Sequence, residues 1–268
     1  MIKILFIGDI VGKPGRDLIK IYLPGFVKRH SIDLVIANVE NSAGGKGVTR
    51  NVADTLLDAG VDVMTSGNHI WDKKEALEYI ALEPRLLRPA NYPSDTPGKG
   101  SYVLRKKELE PVAVINIMGR IFMNPLDNPF EIIKKEIKGV QNDTQTIIVD
   151  IHGEATSEKQ AMGWYLDGSV TAVLGTHTHV QTADERVLPK GTAFITDVGM
   201  TGPHDSIIGV ETAPVIKRFI NGLPSRFEVA RNNPRLNAVI ISIETTTGRA
   251  QDIQRVNLSD KDLEDSKG

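Results

Sequence analysis

The chain has 268 residues, 40% of them hydrophobic and 25% charged, with a net charge of −2 and no cysteine. That length supports a sizeable core, and the near-neutral charge gives no general attraction to nucleic acid or to anionic lipid. Without cysteine there is no disulfide, thiolate metal site or thiol nucleophile, which fits a cytoplasmic location.

The first element is the apolar run IKILFIG (2–8), which Gly8-Asp9 ends at once. It is too short to span a membrane and no small-residue cleavage site follows it, so it reads as a buried first strand. Pro14 then sits in the first turn of a helical segment near 14–29. Six further apolar runs follow: DLVIAN (33–38), VDVMTSG (61–67), VAVINIMG (112–119), TIIVDIHG (146–153), VTAVLGTH (170–177) and TAFITDVG (192–199). Apolar residues on consecutive positions suit strands covered on both faces. Helical patterns lie near 49–59, 72–82, 129–138, 157–166 and 212–220. Asp72 with Glu75, and Ser157 with Gln160, have capping-box spacing at two of the helix starts.

Strands alternating with helices predict an α/β fold, with a mostly parallel central sheet and flanking helices. Near the C-terminus the pattern changes. RFEVAR (226–231), LNAVIISIE (236–244) and RAQDIQRVNL (249–258) read as antiparallel strands that form a second sheet or extend the edge of the first. No internal repeat and no long Pro/Gly/Ser linker interrupts the chain, so residues 1–258 read as one domain and residues 259–268 as a polar, frayed tail.

The chemistry collects at strand ends. Asp9 follows the first run, Glu40 and Asn41 the second, and Asn68 and His69 the third, while His152, His177 and His179 close two later runs. In a parallel sheet the carboxyl ends share one rim, where open α/β sheets place their ligands. Oxygen and neutral-nitrogen donors suit Mn, Fe or Zn. Asp9, Glu40, Asn41, Asn68, His152, His177 and His179 exceed what one tetrahedral ion takes, and they suit two ions sharing a carboxylate. Two ions roughly 3.5–4 Å apart are a standard apparatus for in-line displacement at phosphorus. In GTHTH (175–179) the spacing puts His177 and His179 on one side of an extended backbone. Any one of these residues has a bland explanation as a turn or a satisfied strand end. Their joint placement on one rim does not.

The blocks GDIVG (8–12), GNHIWD (67–72), the His152-Gly153 pair and GTHTH resemble, in order and spacing, those of the calcineurin-like metallophosphoesterases. NVENSAGGKGVTR (38–50), DIHGEATSEKQAMGWYLDG (150–168) and GTHTHVQTADERVLPKGTAFITDVGMTGP (175–203) resemble the YmdB-like branch of that superfamily nearly end to end. Two departures from the general pattern belong to the same branch: Val11 stands where most members carry a histidine ligand, and Glu40-Asn41 where most carry a bridging aspartate.

The resemblance implies a metallophosphoesterase-type α/β sandwich. It also implies one ion held by Asp9, Glu40, Asn41 and His179, and a second held by Glu40, Asn68, His152 and His177. The ions would be iron or manganese, with zinc as a further choice. The implied activity is hydrolysis of small phosphodiesters, 2′,3′-cyclic nucleotides above all. A hydroxide bridging the ions would attack phosphorus, and His69 would protonate the departing alkoxide as general acid.

Substrate contacts are expected from Lys46, in a glycine-rich loop that is not a P-loop, and from His204 in TGPHDS (201–206). The 157–166 helix, with Met162, Trp164 and Tyr165 on or near one face, reads as core packing or as part of a lid. The expected partner is a small nucleotide, with no stable nucleic-acid or membrane binding, and a homo-oligomer is left open. Two alternatives stay in view. One is a phosphomonoesterase, acting on nucleotides or phosphoproteins; the other is a nucleotide-sensing regulatory protein with weak turnover.

Overall fold

Side chains along a strand alternate between its two faces, so an uninterrupted apolar strand needs cover on both. The computed structural model, which describes residues 1–107 and 109–265, supplies that cover with two facing sheets and an outer layer of helices on each. In chain order the elements begin β1 (Ile2–Ile7), β2 (Asp9–Ile10), α1 (Gly12–His30), β3 (Leu34–Asn38), α2 (Arg50–Asp58), β4 (Val63–Thr65) and α3 (Lys74–Leu82). Next come β5 (Ser101–Leu104), β6 (Val112–Met118), α4 (Pro129–Val140), β7 (Thr146–His152), α5 (Thr156–Leu166), β8 (Ala172–Thr176) and β9 (Arg186–Val187). The chain closes with β10 (Ala193–Ile195), β11 (Met200–Pro203), α6 (Thr212–Asn221), β12 (Pro234–Glu244), β13 (Arg249–Ser259) and α7 (Asp260–Asp265).

The first sheet has the order β2-β11-β12-β1-β3-β4, with β13 paired to β12. The second has the order β5-β6-β7-β8-β10-β9. Each contains a parallel core, β1-β3-β4 in one and β6-β7-β8-β10 in the other. The alternation is legible in the packing. Ile4 and Phe6 of β1, with Leu34 and Ile36 of β3, meet Val114, Ile148 and Leu174 between the sheets. Leu5, Ile7, Val35 and Ala37 turn the other way, onto Leu18, Tyr22 and Phe26 of α1 and Leu56 of α2. On the far side Ile115, Ile117, Val149 and Ile151 pack with Ile133 of α4 and Met162 and Leu166 of α5. Each such large side chain contributes about 1.5–3 kcal/mol on burial.

The α/β class, the flanking helices and the parallel strands follow the sequence reading, but the strands divide between two sheets. β12 and β13 are antiparallel as expected, and of the two placements left open they take the first sheet, with β12 pairing antiparallel with β1. Two corrections remain near the C-terminus. RFEVAR is not a strand, and only Val229 forms an isolated bridge, to Val210. Both edges of β12 near Pro234-Arg235 are already taken by β11 and β13. The frayed tail is a helix as far as it is described: Leu263 of α7 is 1% exposed in the core, and residues 266–268 lie outside the described residues.

Helix starts show a similar mix. Thr49 caps α2 through the Val52 N–H, and Asn128 caps α4 through the Phe130 N–H, with Pro129 in its first turn. The two expected capping boxes do not form: α3 and α5 begin without a side-chain cap, at Lys74 and Thr156. Among the described residues no helix is long and apolar enough to cross a membrane.

Candidate metal centre

Every donor expected from the sequence reaches the same rim, and the donors divide by chemistry between the sheets. Asp9 in β2, Glu40 and Asn41 after β3 and Asn68 after β4 come from the first sheet and offer oxygen. His152, the last residue of β7, and His177 and His179 after β8 come from the second and offer nitrogen.

Two groups form. In one, His152 Nε2 lies 3.0 Å from His177 Nδ1, 3.1 Å from Asn68 Oδ1 and 3.2 Å from Glu40 Oε1. Glu40, His152 and His177 offer ligand atoms that all lie within 4.8 Å of one another. In the other, His179 Nε2 lies 3.2 Å from Asn41 Nδ2 and 3.9 Å from Asp9 Oδ1. Asn41 Nδ2 also donates to Glu40 Oε1 at 3.2 Å, so the Glu40 carboxylate touches both groups. Ligation by Asn41 would use its carbonyl oxygen, which a half-turn of the amide exchanges with Nδ2.

The donors suit divalent cations. Asp9 is fully buried, and its Oδ1 has no hydrogen-bond partner among the described residues, although Oδ2 accepts the His177 N–H at 3.1 Å. A buried carboxylate oxygen is costly unless paired or bound to a cation. The backbone is also shaped for close approach: a Cβ on Gly67 would overlap the His152 ring and lie 2.5 Å from Glu40 Oε2.

Partners behind the histidines fix which nitrogen faces the cluster. Thr176 Oγ1 donates its single proton to Asp150 Oδ1 at 2.7 Å, so it accepts from His152 Nδ1–H at 2.9 Å and leaves Nε2 pointing at the other donors. Asp150 Oδ2 accepts from Thr65 Oγ1 at 2.5 Å and from Asn38 Nδ2 at 3.1 Å, which links the second sheet to the first just behind the site. His179 Nδ1–H donates to the Ile208 carbonyl at 2.9 Å, again freeing Nε2.

The electrostatics follow from burial and proximity. Burial pushes the Glu40 carboxyl up, but the His152 ring and the His69 N–H outweigh it and hold Glu40 at about 2. Burial pushes His152 down, yet Glu40 and Asp9 bring it up to about 9. Burial and the neighbouring His152 lower His177 to about 3. Burial raises Asp9, with His179 and His152 opposing, and raises Asp150 to about 7.

The extended backbone expected through GTHTH is corrected. β8 stops at Thr176, and His177 and His179 take φ values of 103° and 65°, in the left-handed region that non-glycine residues seldom enter. The two rings therefore diverge to different neighbours.

The remaining expected residues fare unequally. His69 donates its backbone N–H to Glu40 Oε2 at 3.0 Å, and its Nδ1 pairs with Asp72 Oδ2 at 3.0 Å, with the ring 26% exposed. Lys46 is exposed, and among the described residues no hydrogen bond or ion pair joins it to the cluster. His204 is engaged within the fold, Nδ1 with Gly202 O at 3.0 Å and Nε2 with Asn237 Oδ1 at 3.1 Å. On α5, Met162 is buried while Trp164 and Tyr165 are exposed.

Several residues at the site escaped the sequence reading. Asp72, which has cap spacing, serves His69 instead; Glu154 Oε2 lies 3.2 Å from His177 Nε2. Asp150 and Thr176 carried a usable signal, since each is a polar residue inside an apolar strand run close to a candidate ligand.

The profile of the YmdB-like protein family matches residues 5–256. A 2′,3′-cyclic-nucleotide 2′-phosphodiesterase of Bacillus subtilis (strain 168) is 50% identical over 258 residues, covering 96% of this chain and 97% of its own. A crystal structure of a Thermus thermophilus protein superposes with a TM-score of 0.90 at 43% identity, over 96% of this chain and 99% of that one. A phosphatase from Mycoplasma pneumoniae gives a TM-score of 0.90 at 36% identity, over 96% and 93%.

Proposed function

This chain belongs to the YmdB-like family of the metallophosphoesterase superfamily, and we propose that it is a metal-dependent phosphodiesterase whose substrates are 2′,3′-cyclic nucleotides. The observation that carries this reading is the Glu40 carboxylate, buried and in contact with both groups of donors. Asp9, Glu40, Asn41 and His179 would hold one divalent ion, and Glu40, Asn68, His152 and His177 the other. The mixed oxygen and nitrogen set suits iron or manganese, and zinc next. Such ions supply Lewis acidity for in-line displacement at phosphorus.

The chain's own groups do the rest. His69 sits beside Asn68 and is tied to Glu40 through its backbone. The Asp72 contact fixes the ring through Nδ1, so Nε2 is the atom that delivers a proton to the ribose oxygen as its bond to phosphorus breaks. Lys46, on the loop that follows Asn41, is the proposed contact for a phosphate oxygen. His204, with both ring nitrogens occupied, is assigned to holding β11 on β12 in place of a substrate role. The side chains of both sheets that meet in one layer between them support reading residues 1–258 as one domain, and the absence of cysteine supports a cytoplasmic location.

A panel of 2′,3′-cyclic nucleotides, a bis-aryl phosphate and a mono-aryl phosphate, given to the metal-loaded protein, tests the reading. Preference for the diesters is expected. Preference for the mono-aryl phosphate would make the protein a monoesterase, and tight nucleotide binding without turnover would make it a sensor.

A further inference from the structure

We infer that the buried Lys159–Asp197 pair is a positioning device for the candidate metal centre, holding the loop that carries His177 and His179 in its strained form. The inference rests on the metal-centre reading above. Lys159 is 1% exposed and Asp197 fully buried, with Nζ donating to Oδ2 at 2.8 Å. The same Oδ2 accepts the Thr178 N–H at 3.0 Å and the Thr178 hydroxyl at 2.7 Å. Oδ1 accepts the Gly199 N–H at 2.8 Å, and Lys159 Nζ also donates to the Thr176 carbonyl at 3.3 Å.

Thr178 is the residue between the two histidines, and both of its neighbours have positive φ. Left-handed backbone at non-glycine residues persists only where its surroundings over-determine it. Asp197 grips the middle residue by backbone and side chain at once, while Asp9 holds the His177 N–H and the Ile208 carbonyl holds the His179 ring on either side. If that grip were lost, His177 and His179 would relax toward ordinary φ values and swing their rings out of the cluster.

The pair also reaches the other donors. Gly199 leads into β11, where Met200 pairs with Asp9, and Lys159 stands on α5, the helix that follows His152. One ion pair thus ties together the segments bearing Asp9, His152, His177 and His179. Buried ion pairs add little net stability over well-packed apolar residues, so stability alone does not account for this one.

The test compares Asp197→Asn, Lys159→Met, the double variant and a core control, Phe26→Leu. Mn²⁺ affinity is measured by calorimetry, ion stoichiometry by elemental analysis and the Co²⁺ visible spectrum by absorption, all well below each variant's Tm. Asp197→Asn is expected to weaken Mn²⁺ binding about 10–100-fold, the range for groups that orient metal ligands, and to alter the Co²⁺ spectrum. Lys159→Met, which leaves both Thr178 donors on Asp197, weakens binding less. The uncharged double variant recovers Tm relative to Asp197→Asn without recovering Mn²⁺ affinity, and Phe26→Leu lowers Tm with affinity unchanged. Wild-type affinity in Asp197→Asn, or recovery of affinity in step with Tm, would overturn the inference alone. Failure of the wild-type protein to bind Mn²⁺, iron or zinc would overturn the metal-centre reading and this inference with it.

Discussion

The two sheets bring different chemistry to one rim and place it by different means. The first sheet supplies the oxygen donors from β2 itself and from the short turns after β3 and β4. Glu40 is held from within that sheet, its N–H donating to Asn38 Oδ1 at 3.2 Å and its Oε2 accepting the His69 N–H at 3.0 Å. The second sheet supplies only imidazoles, and these depend on distant anchors: Thr176 and Asp150 behind His152, the Ile208 carbonyl behind His179, and Asp197 under Thr178. A carboxylate has two equivalent oxygens and tolerates an approximate approach. An imidazole presents one lone pair in one direction, so its orientation has to be imposed.

The most damaging test of this contrast is Glu40→Gln, which removes the one charge that touches both groups. Both ions should be lost by elemental analysis, and cyclic-nucleotide hydrolysis should fall to background. Retention of both ions would remove Glu40 from its shared position. His69→Ala should lower kcat by about 10²–10⁴-fold with metal content unchanged, because a proton donor is lost and no ligand is. Unchanged turnover of a substrate with an alkoxide leaving group would refute that role.

The nitrogen side can then be divided. His177→Ala and His179→Ala should each weaken one ion and spare the other, which sequential Mn²⁺ titration would resolve; equal loss of both ions in either variant would merge the two groups into one. Thr176→Val tests orientation without touching a donor. Mn²⁺ affinity should drop about 10–100-fold while the protein stays folded by circular dichroism. On the outer rim the effect should be smallest. Lys46→Met should raise KM by no more than about fivefold, in line with an exposed charge, with kcat retained.

Much of the site was legible because its signals are local. A ligand-type residue that ends an apolar run is recognisable from the run itself, and the structure brings Asp9, Glu40, Asn68 and His152, chosen in that way, to one rim. The geometry of GTHTH was not legible. Alternation assigns both rings to one side of a strand, whereas the backbone leaves the strand at Thr176 and turns left-handed under contacts from Asp197 and Ile208, many residues away. Asp72 was misread for a related reason: its spacing from Glu75 suits a helix cap, but the competing partner, His69, becomes visible only once the turn is folded.

By itself the sequence determined the main parallel strands and their flanking helices, the polar residues that end those strands and the donor types gathered near them. These follow from the periodicity of burial and from side-chain type, both readable within a few residues. The tertiary structure decided that the parallel strands split between two sheets, that β12 lies beside β1, and that oxygen donors face nitrogen donors across the join. Those outcomes depend on which edges and faces find partners far along the chain, and no local pattern encodes that choice.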